Sequence, residues 1–325
     1  MDQSGPGELP VERCDVQYKD MLKKYRDLRT KWLGWLEGDP RHAIWRQIFV
    51  ILSNDLAVRT ISCAAENDPD SPLHNPLLRQ VILDGHRDTQ VLGVRKLMEE
   101  SSDVISLGRL LKDLRDNIDV FTREIYVAGS GLPYDLNTAL SALSSGLSGP
   151  GFVPSDHPAP RYFLAKAAHE RFDRLSRISP SQRARTNRIP KRLIDHLRNH
   201  IENSSAQDTV KWSHQFVAHA GDTKGAGWRN LQLTYEKVVS AQQHVVQVVH
   251  WISSELLQAM TLSRLVPVLQ FKAYERFDRL VTPESLERAR QYRCELEKDR
   301  NSWLQESQGT SDLLTVIGWP NALVC

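Results

Sequence analysis

The 325-residue chain is poor in cysteine: Cys14, Cys63, Cys294 and Cys325 are its only four, and no two form a Cys-x-x-Cys pair. That spacing excludes a zinc knuckle and a thioredoxin-type dithiol. Scattered thiols in a chain of this size point to free cysteines in a reducing compartment, so a soluble cytoplasmic protein is expected. Excess charge of one sign is also missing, since 42 basic and 40 acidic side chains leave a net charge of +2. A bulk polyanion binder needs a stronger field, so any nucleic-acid contact has to be a local patch. Long hydrophobic runs are scarce. Val245 to Met260 reads as the most apolar helical stretch, but it contains Gln247, His250 and Glu255 and is too short to span a membrane. Met1 to Pro10 is polar, lacks an apolar core and does not read as a signal peptide. Cys325 is the last residue, whereas prenylation needs a cysteine fourth from the end. No membrane partner is therefore expected. Internal repeats are absent, and so is strand-type alternation outside residues 308–325, as are a Walker box, a dinucleotide fingerprint and a Gly-x-Ser-x-Gly elbow.

What the chain does have is helical periodicity. Tyr18, Leu22, Tyr25, Leu28, Trp32 and Leu36 recur at three- and four-residue steps, which predicts a helix over 15–36 that stops at Gly38-Asp39-Pro40. The same reasoning predicts helices over 41–65, 77–100, 106–127, 161–177, 181–203, 206–220 and 228–262. A charged helix opened by Pro283 follows, to about Trp303. The apolar side of the 77–100 helix is expected to hold Leu78, Val81, Ile82, Val91, Val94 and Met98. Residues 308–325 read as a short strand or an irregular cap. The fold class is thus all-α, a helical bundle. Its divisions are a flexible tail over 1–12, a bundle over 13–265 and a C-terminal helical extension over 266–325.

Two irregular stretches interrupt the pattern. Glu66 to Pro76 holds three prolines and several acids but lacks the glycine and spacing of a calcium loop, so it reads as a solvated connector. Gly129 to Pro160 is rich in Gly, Ser and Pro and is the long irregular insertion, a linker or a lid. Its Gly-Ser-Gly at 129–131 is followed by no Lys-Ser or Lys-Thr, which argues against a phosphate-cradling loop.

Chemistry concentrates in Val210 to Ala220, which carries His214 and His219. Five residues on a helix turn the two side chains roughly 140° apart, so they do not chelate one metal from an ideal helix. The run His214-Gln-Phe-Val-Ala-His219-Ala-Gly-Asp resembles the Arg-x-x-x-x-His helix of the HEPN superfamily, and within it the AbiU-type branch linked to bacterial abortive infection. Thr89 to Leu97 followed by Ile105-Ser-Leu-Gly-Arg-Leu-Leu111 is similar to the Arg-Leu and Ser-Leu-x-x-Leu-Leu pattern of that branch. The likeness covers about residues 15–265. It implies a helical bundle, often a homodimer with a composite site, and in many members a metal-independent ribonuclease without cofactor.

In such a site the histidine, here His219, is the general acid or base, and the arginine binds phosphate. The arginine position of the motif is His214 in this chain. It becomes a second acid/base or a weaker, pH-dependent phosphate binder, and a relative that no longer cleaves RNA is the other outcome of the same change. Arg95, with Asp88 seven residues earlier on the same face, is the candidate phosphate clamp with an orienting carboxylate. Arg188 and Arg192 belong to the densest basic run, 183–198, which is a candidate RNA-binding face. The bland reading of both features is a solvated helix face. His196 and His200 stand four apart without a third ligand among basic neighbours and read as a solvent-facing pair, so no metal is expected. Against the RNA-acting reading stands a non-catalytic helical interaction or scaffold protein.

Overall fold

A computed structural model describes residues 9–137, 140–141, 158–214, 233–259, 262–266, 274–275, 277–308, 310–317 and 319. These residues form eleven α-helices, and among them there is no strand, only an isolated bridge between Thr122 and Arg188. The helices are α1 (Lys19–Leu33), α2 (Ile44–Glu66), α3 (Pro76–Met98), α4 (Leu107–Asp116), α5 (Arg123–Ala128), α6 (Pro158–Ser176), α7 (Arg192–Glu202), α8 (Ala206–Trp212), α9 (Tyr235–Trp251), α10 (Pro283–Gln308) and α11 (Thr310–Val316). The protein is all-α, as the periodicity predicts.

Local chemistry sets several helix starts. Asn75 Oδ1 accepts from the N–H groups of Leu77 and Leu78 at 3.1 and 3.2 Å, and Pro76 takes the first position of α3. These are an N-cap and a proline where no donor is lost. Thr122 caps α5 and Thr234 caps α9 in the same way. Thr282 Oγ1 accepts from Ser285 N–H at 3.3 Å just before the Pro283 start of α10.

The chain divides into two compact units. One comprises Met1–Trp32, Asp113–His196 and Gly318–Cys325; the other comprises Leu33–Lys112 and Leu197–Ile317. In the first, α5 packs on α6 over an aromatic core. Phe121 stacks on Trp32 at 5.6 Å and meets Tyr25 edge-on at 5.4 Å, while Tyr126 packs against Phe172. Trp319 belongs to this unit as well: its indole N–H donates to the Arg174 carbonyl at 3.2 Å.

The second unit is a helical bundle. Around a ring, α2 packs on α3, α3 on α9, α9 on α10 and α10 back on α2, with α8 lying against both α3 and α9. The α2–α3 approach is close because residue 93 is glycine, since a Cβ there would lie 2.2 Å from Ile51 Cγ2. Among the described residues α2 is the one helix long and apolar enough to cross a membrane, with a mean hydropathy of 1.5 over its best window. Half of that window is buried in the protein, and its Asp55 is ion-paired to α10, so α2 is read as a core helix. It displaces the 245–260 stretch as the most apolar segment.

Four sequence expectations are corrected. The predicted helix over 181–203 starts only at Arg192. Residues 183–191 are non-helical: Pro190 bars a helix through it, and the backbone before it serves the start of α5, with Arg123 N–H donating to the Asn187 carbonyl at 2.8 Å and Glu124 N–H to that of Arg185 at 3.1 Å. The predicted helix over 106–127 breaks between Asp116 and Arg123, where a 3-10 turn precedes the Thr122 cap. Residues 310–316 are helical, neither strand nor irregular cap. The apolar side of α3 is used only in its C-terminal half: Val91, Val94 and Leu97 are buried, whereas Leu77 is 72% exposed and Val81 is 64% exposed.

Candidate functional site

A polar centre of the second unit is Asp55, 1% exposed in the middle of α2. Each of the three other helices of the ring sends it one partner. Tyr235 of α9 donates its hydroxyl to Asp55 Oδ1. His86 of α3 places Nε2 at 3.4 Å from the same oxygen. Arg300 of α10 approaches Oδ2 at 3.2 Å. A second tier supports these contacts. Arg59 donates to the Tyr235 hydroxyl at 3.3 Å, with its guanidinium 5.0 Å from that ring. His86 Nδ1 lies 3.1 Å from Asn54 Oδ1, which also accepts from Gln90 at 3.0 Å, and Gln90 accepts from Gln242 at 2.6 Å.

The electrostatics of this cluster are those of a lock. Burial alone pushes the Asp55 carboxyl upward, but the hydrogen bonds of His86 and Tyr235 and the charge of Arg300 outweigh it and hold the group below its ordinary range. Burial first, and then the neighbouring Asp55 charge, push the Tyr235 phenol well up, so it stays a donor. A general base needs a free lone pair facing a reactant. Among the described residues the contacts of Asp55 are all to the bundle's own helices, so the cluster ties the bundle together.

The first unit has a comparable centre. Arg123 is fully buried and pairs with Asp173 at 2.7 Å, donates to Asn187 at 3.1 Å and lies 4.6 Å from the Phe172 ring. Asp173 also receives Arg183 bidentately, Nη2 on Oδ2 at 2.6 Å and Nε on Oδ1 at 3.2 Å. Arg185 joins Glu124 at 2.8 Å and Asp15 at 2.9 Å. Two arginines of the basic run, Arg183 and Arg185, are thus spent on internal ion pairs.

The residues singled out from the sequence sit as follows. Arg95 and Asp88 lie on α3 and His214 just past the end of α8, all in the second unit. Arg95 is half-buried and lines a cavity of about 630 Å³. Asp88 is partly exposed and accepts from Arg87 at 3.2 Å. His214 is exposed. Arg188 and Arg192 belong to the first unit, where Arg188 faces Asp119 at 3.7 Å and Arg192 lies 5.4 Å from the Trp319 ring. His219 lies outside the described residues. Helix α3 packs on α8, and the Arg87 guanidinium sits 5.6 Å from the Trp212 ring.

The His196/His200 reading is corrected. The His196 ring meets Trp319 edge-on at 5.3 Å, and the His200 ring lies 4.6 Å from that of His244. Burial, and then the neighbouring imidazole, pull His200 down to about 4. Among the described residues no group of three or more metal-binding side chains occurs. The sequence reasoning passed over Asp55, although one signal was present: a carboxylate among Ile51, Leu52 and Leu56 on the apolar side of a helix. No family model, curated protein or solved structure matches the chain.

Proposed function

We propose that this chain is an RNA-acting protein of the HEPN, AbiU-like type, working in the cytoplasm of a bacterium in defence or stress. Its working part is the second unit. His219 is the general acid/base, His214 the second acid/base or phosphate binder, and Arg95 with Asp88 the phosphate-holding pair; Arg188 and Arg192, on the first unit, are proposed as a separate basic face for RNA. In the reaction, one histidine takes the proton of a ribose 2′-hydroxyl as its oxygen attacks the adjacent phosphorus. The other gives a proton to the departing 5′-oxygen, leaving a 2′,3′-cyclic phosphate and a free 5′-hydroxyl. This chemistry asks for no metal.

The observation that carries the reading is the packing of α3 against α8. The 89–97 stretch of the likeness lies on α3, and α8 leads into His214, the one residue of the 214–222 stretch among the described residues, more than a hundred residues later in sequence. The Arg87–Trp212 contact marks the junction one residue from Asp88 and two from His214.

The test is cleavage of a fluorescently labelled single-stranded RNA by the purified chain in the presence of a metal chelator. Cleavage by wild type and a loss of roughly 100-fold or more in His219→Ala are expected. RNA left intact by a folded wild-type protein, or cut equally by His219→Ala, removes the nuclease. One observation favours the non-catalytic interaction protein as a second reading: Leu77 and Val81 leave the N-terminal half of α3 with an apolar exposed face. That reading gains if intact RNA is accompanied by co-purification of a partner that a Val81→Lys change releases.

A further inference from the structure

The cavity beside Arg95 lies wholly within the second unit and encloses about 630 Å³. That volume falls in the roughly 300–1,000 Å³ range of small-ligand pockets. Leu92, Val104 and Ile105 give it an apolar wall. The wall is anchored. Gln47 Nε2 donates to the carbonyls of His42 and Ile105 at 2.6 and 2.8 Å, and Arg109 donates to the Val104 carbonyl at 2.7 Å. A preformed wall costs a ligand little ordering.

The charges around it are unequal in commitment. Asp103 accepts from the Ser101 hydroxyl and lies near Arg109; that hydrogen bond above all holds its carboxyl below the ordinary range. Glu99 accepts from the Glu100 N–H at 3.3 Å. Arg95 and Lys96 have no side-chain hydrogen bond or ion pair among the described residues. Glu99 and Asp103 keep their negative charges in the same lining, and the two cations, without a partner among the described residues, stand next to an apolar surface. Consecutive positions on a helix project about 100° apart, so a guanidinium fork and an ammonium reach one ligand from two directions. Two such donors can share the three terminal oxygens of a phosphate monoester.

We infer that this cavity binds a small organic phosphate monoester, its phosphate on Arg95 and Lys96 and its body against Leu92, Val104 and Ile105. The inference deepens the reading of Arg95 as a phosphate-holding side chain. The monoester has two sources, a free mononucleotide or the 5′-phosphorylated end of an RNA. A cavity of this size holds about one nucleotide and so takes an end rather than an internal stretch.

Calorimetric titration of the full chain tests it, with four probes: AMP, orthophosphate, a 5′-phosphorylated tetraribonucleotide and the same oligomer with a 5′-hydroxyl. Saturable binding of AMP or of the phosphorylated oligomer is expected, at least tenfold tighter than orthophosphate or the 5′-hydroxyl oligomer. Arg95→Gln weakens it at least tenfold. Leu92→Trp fills the cavity and abolishes it while every charge remains. Binding of AMP alone assigns the site to a free metabolite, and binding of the oligomer alone assigns it to an RNA end. The inference is overturned if neither monoester binds, if orthophosphate binds as tightly as AMP, or if Arg95→Gln, folded by circular dichroism, binds like wild type. The two readings fail separately. A monoester bound with no RNA cleaved keeps the cavity and removes the nuclease; RNA cleaved with no monoester bound does the reverse.

Discussion

Both units bury an ion pair between an arginine and an aspartate, but they hold it differently. In the first, Asp173 is shared by two guanidinium groups, those of Arg123 and Arg183. In the second, Asp55 has one guanidinium, that of Arg300, and otherwise depends on a phenol and an imidazole. The jobs differ too. The Arg123 cluster ties the non-helical 183–191 segment to the start of α5, a local repair of backbone and charge. The Asp55 cluster takes one side chain from each of four helices and sets their register. The lesson is that a buried charge with a single strong partner is a point of failure, whereas a shared charge is buffered. Breaking a buried pair leaves an unpaired ion in low dielectric, and that residual ion supplies most of the loss.

The comparison gives its largest effect at Arg300. Arg300→Met is expected to destabilise the second unit by about 3–5 kcal/mol, because Asp55 loses the guanidinium paired with it. Arg123→Met is expected to cost the first unit only about 2 kcal/mol, since Asp173 keeps Arg183. Hydrogen exchange read separately in α2 and α6 checks both. Equal losses, or a larger one at Arg123, would break the comparison.

A smaller effect sits at the exposed end of α3. Asn75→Ala removes the acceptor for two amide hydrogens and is expected to cost about 1 kcal/mol, seen as faster exchange in the first turn of α3. Unchanged exchange there would mean that water satisfies these donors equally well.

The smallest effect at neutral pH, and the one that sharpens the contrast in acid, is at His200. Its folded form holds the imidazole neutral down to about 4, while the unfolded chain takes the proton near 6.5. Between those values the unfolded state binds more protons, so this contribution is complete above about 6.5 and is lost as pH falls toward 4. Urea midpoints over that window are expected to fall in wild type and to flatten in His200→Gln. Asp55, held low in the fold, loses its contribution at still lower pH, so the two groups separate on the pH axis. A wild-type midpoint that holds steady from pH 7 to 4.5 would remove the His200 assignment.

The helices were largely legible because their signal is local. The apolar spacing of α2, the Asn75-Pro76 start of α3 and the Pro283 start of α10 can each be read within a few residues. The errors share a different cause. Residues 183–191 contain Pro190, a local bar to a continuous helix that the apolar spacing hid, and the carbonyls of Arg185 and Asn187 are claimed by Glu124 and Arg123, some sixty residues away. His200 looked solvent-facing because the sequence gives no hint that His244 lies beside it. Arg183 and Arg185 looked available to a polyanion until their carboxylate partners were located.

By itself, then, the sequence determined the all-α class, most helix spans and the scarcity of net charge, since periodicity, caps and composition act over a turn or two of chain. Tertiary structure alone decided which charges are spent and which are free. Asp55 became the lock of a bundle, Arg123 and Asp173 an internal pair, and Arg95 a guanidinium on a cavity wall without a partner among the described residues. The physical reason is that pairing and desolvation depend on neighbours brought from tens to hundreds of residues away, a distance over which local sequence pattern carries no information.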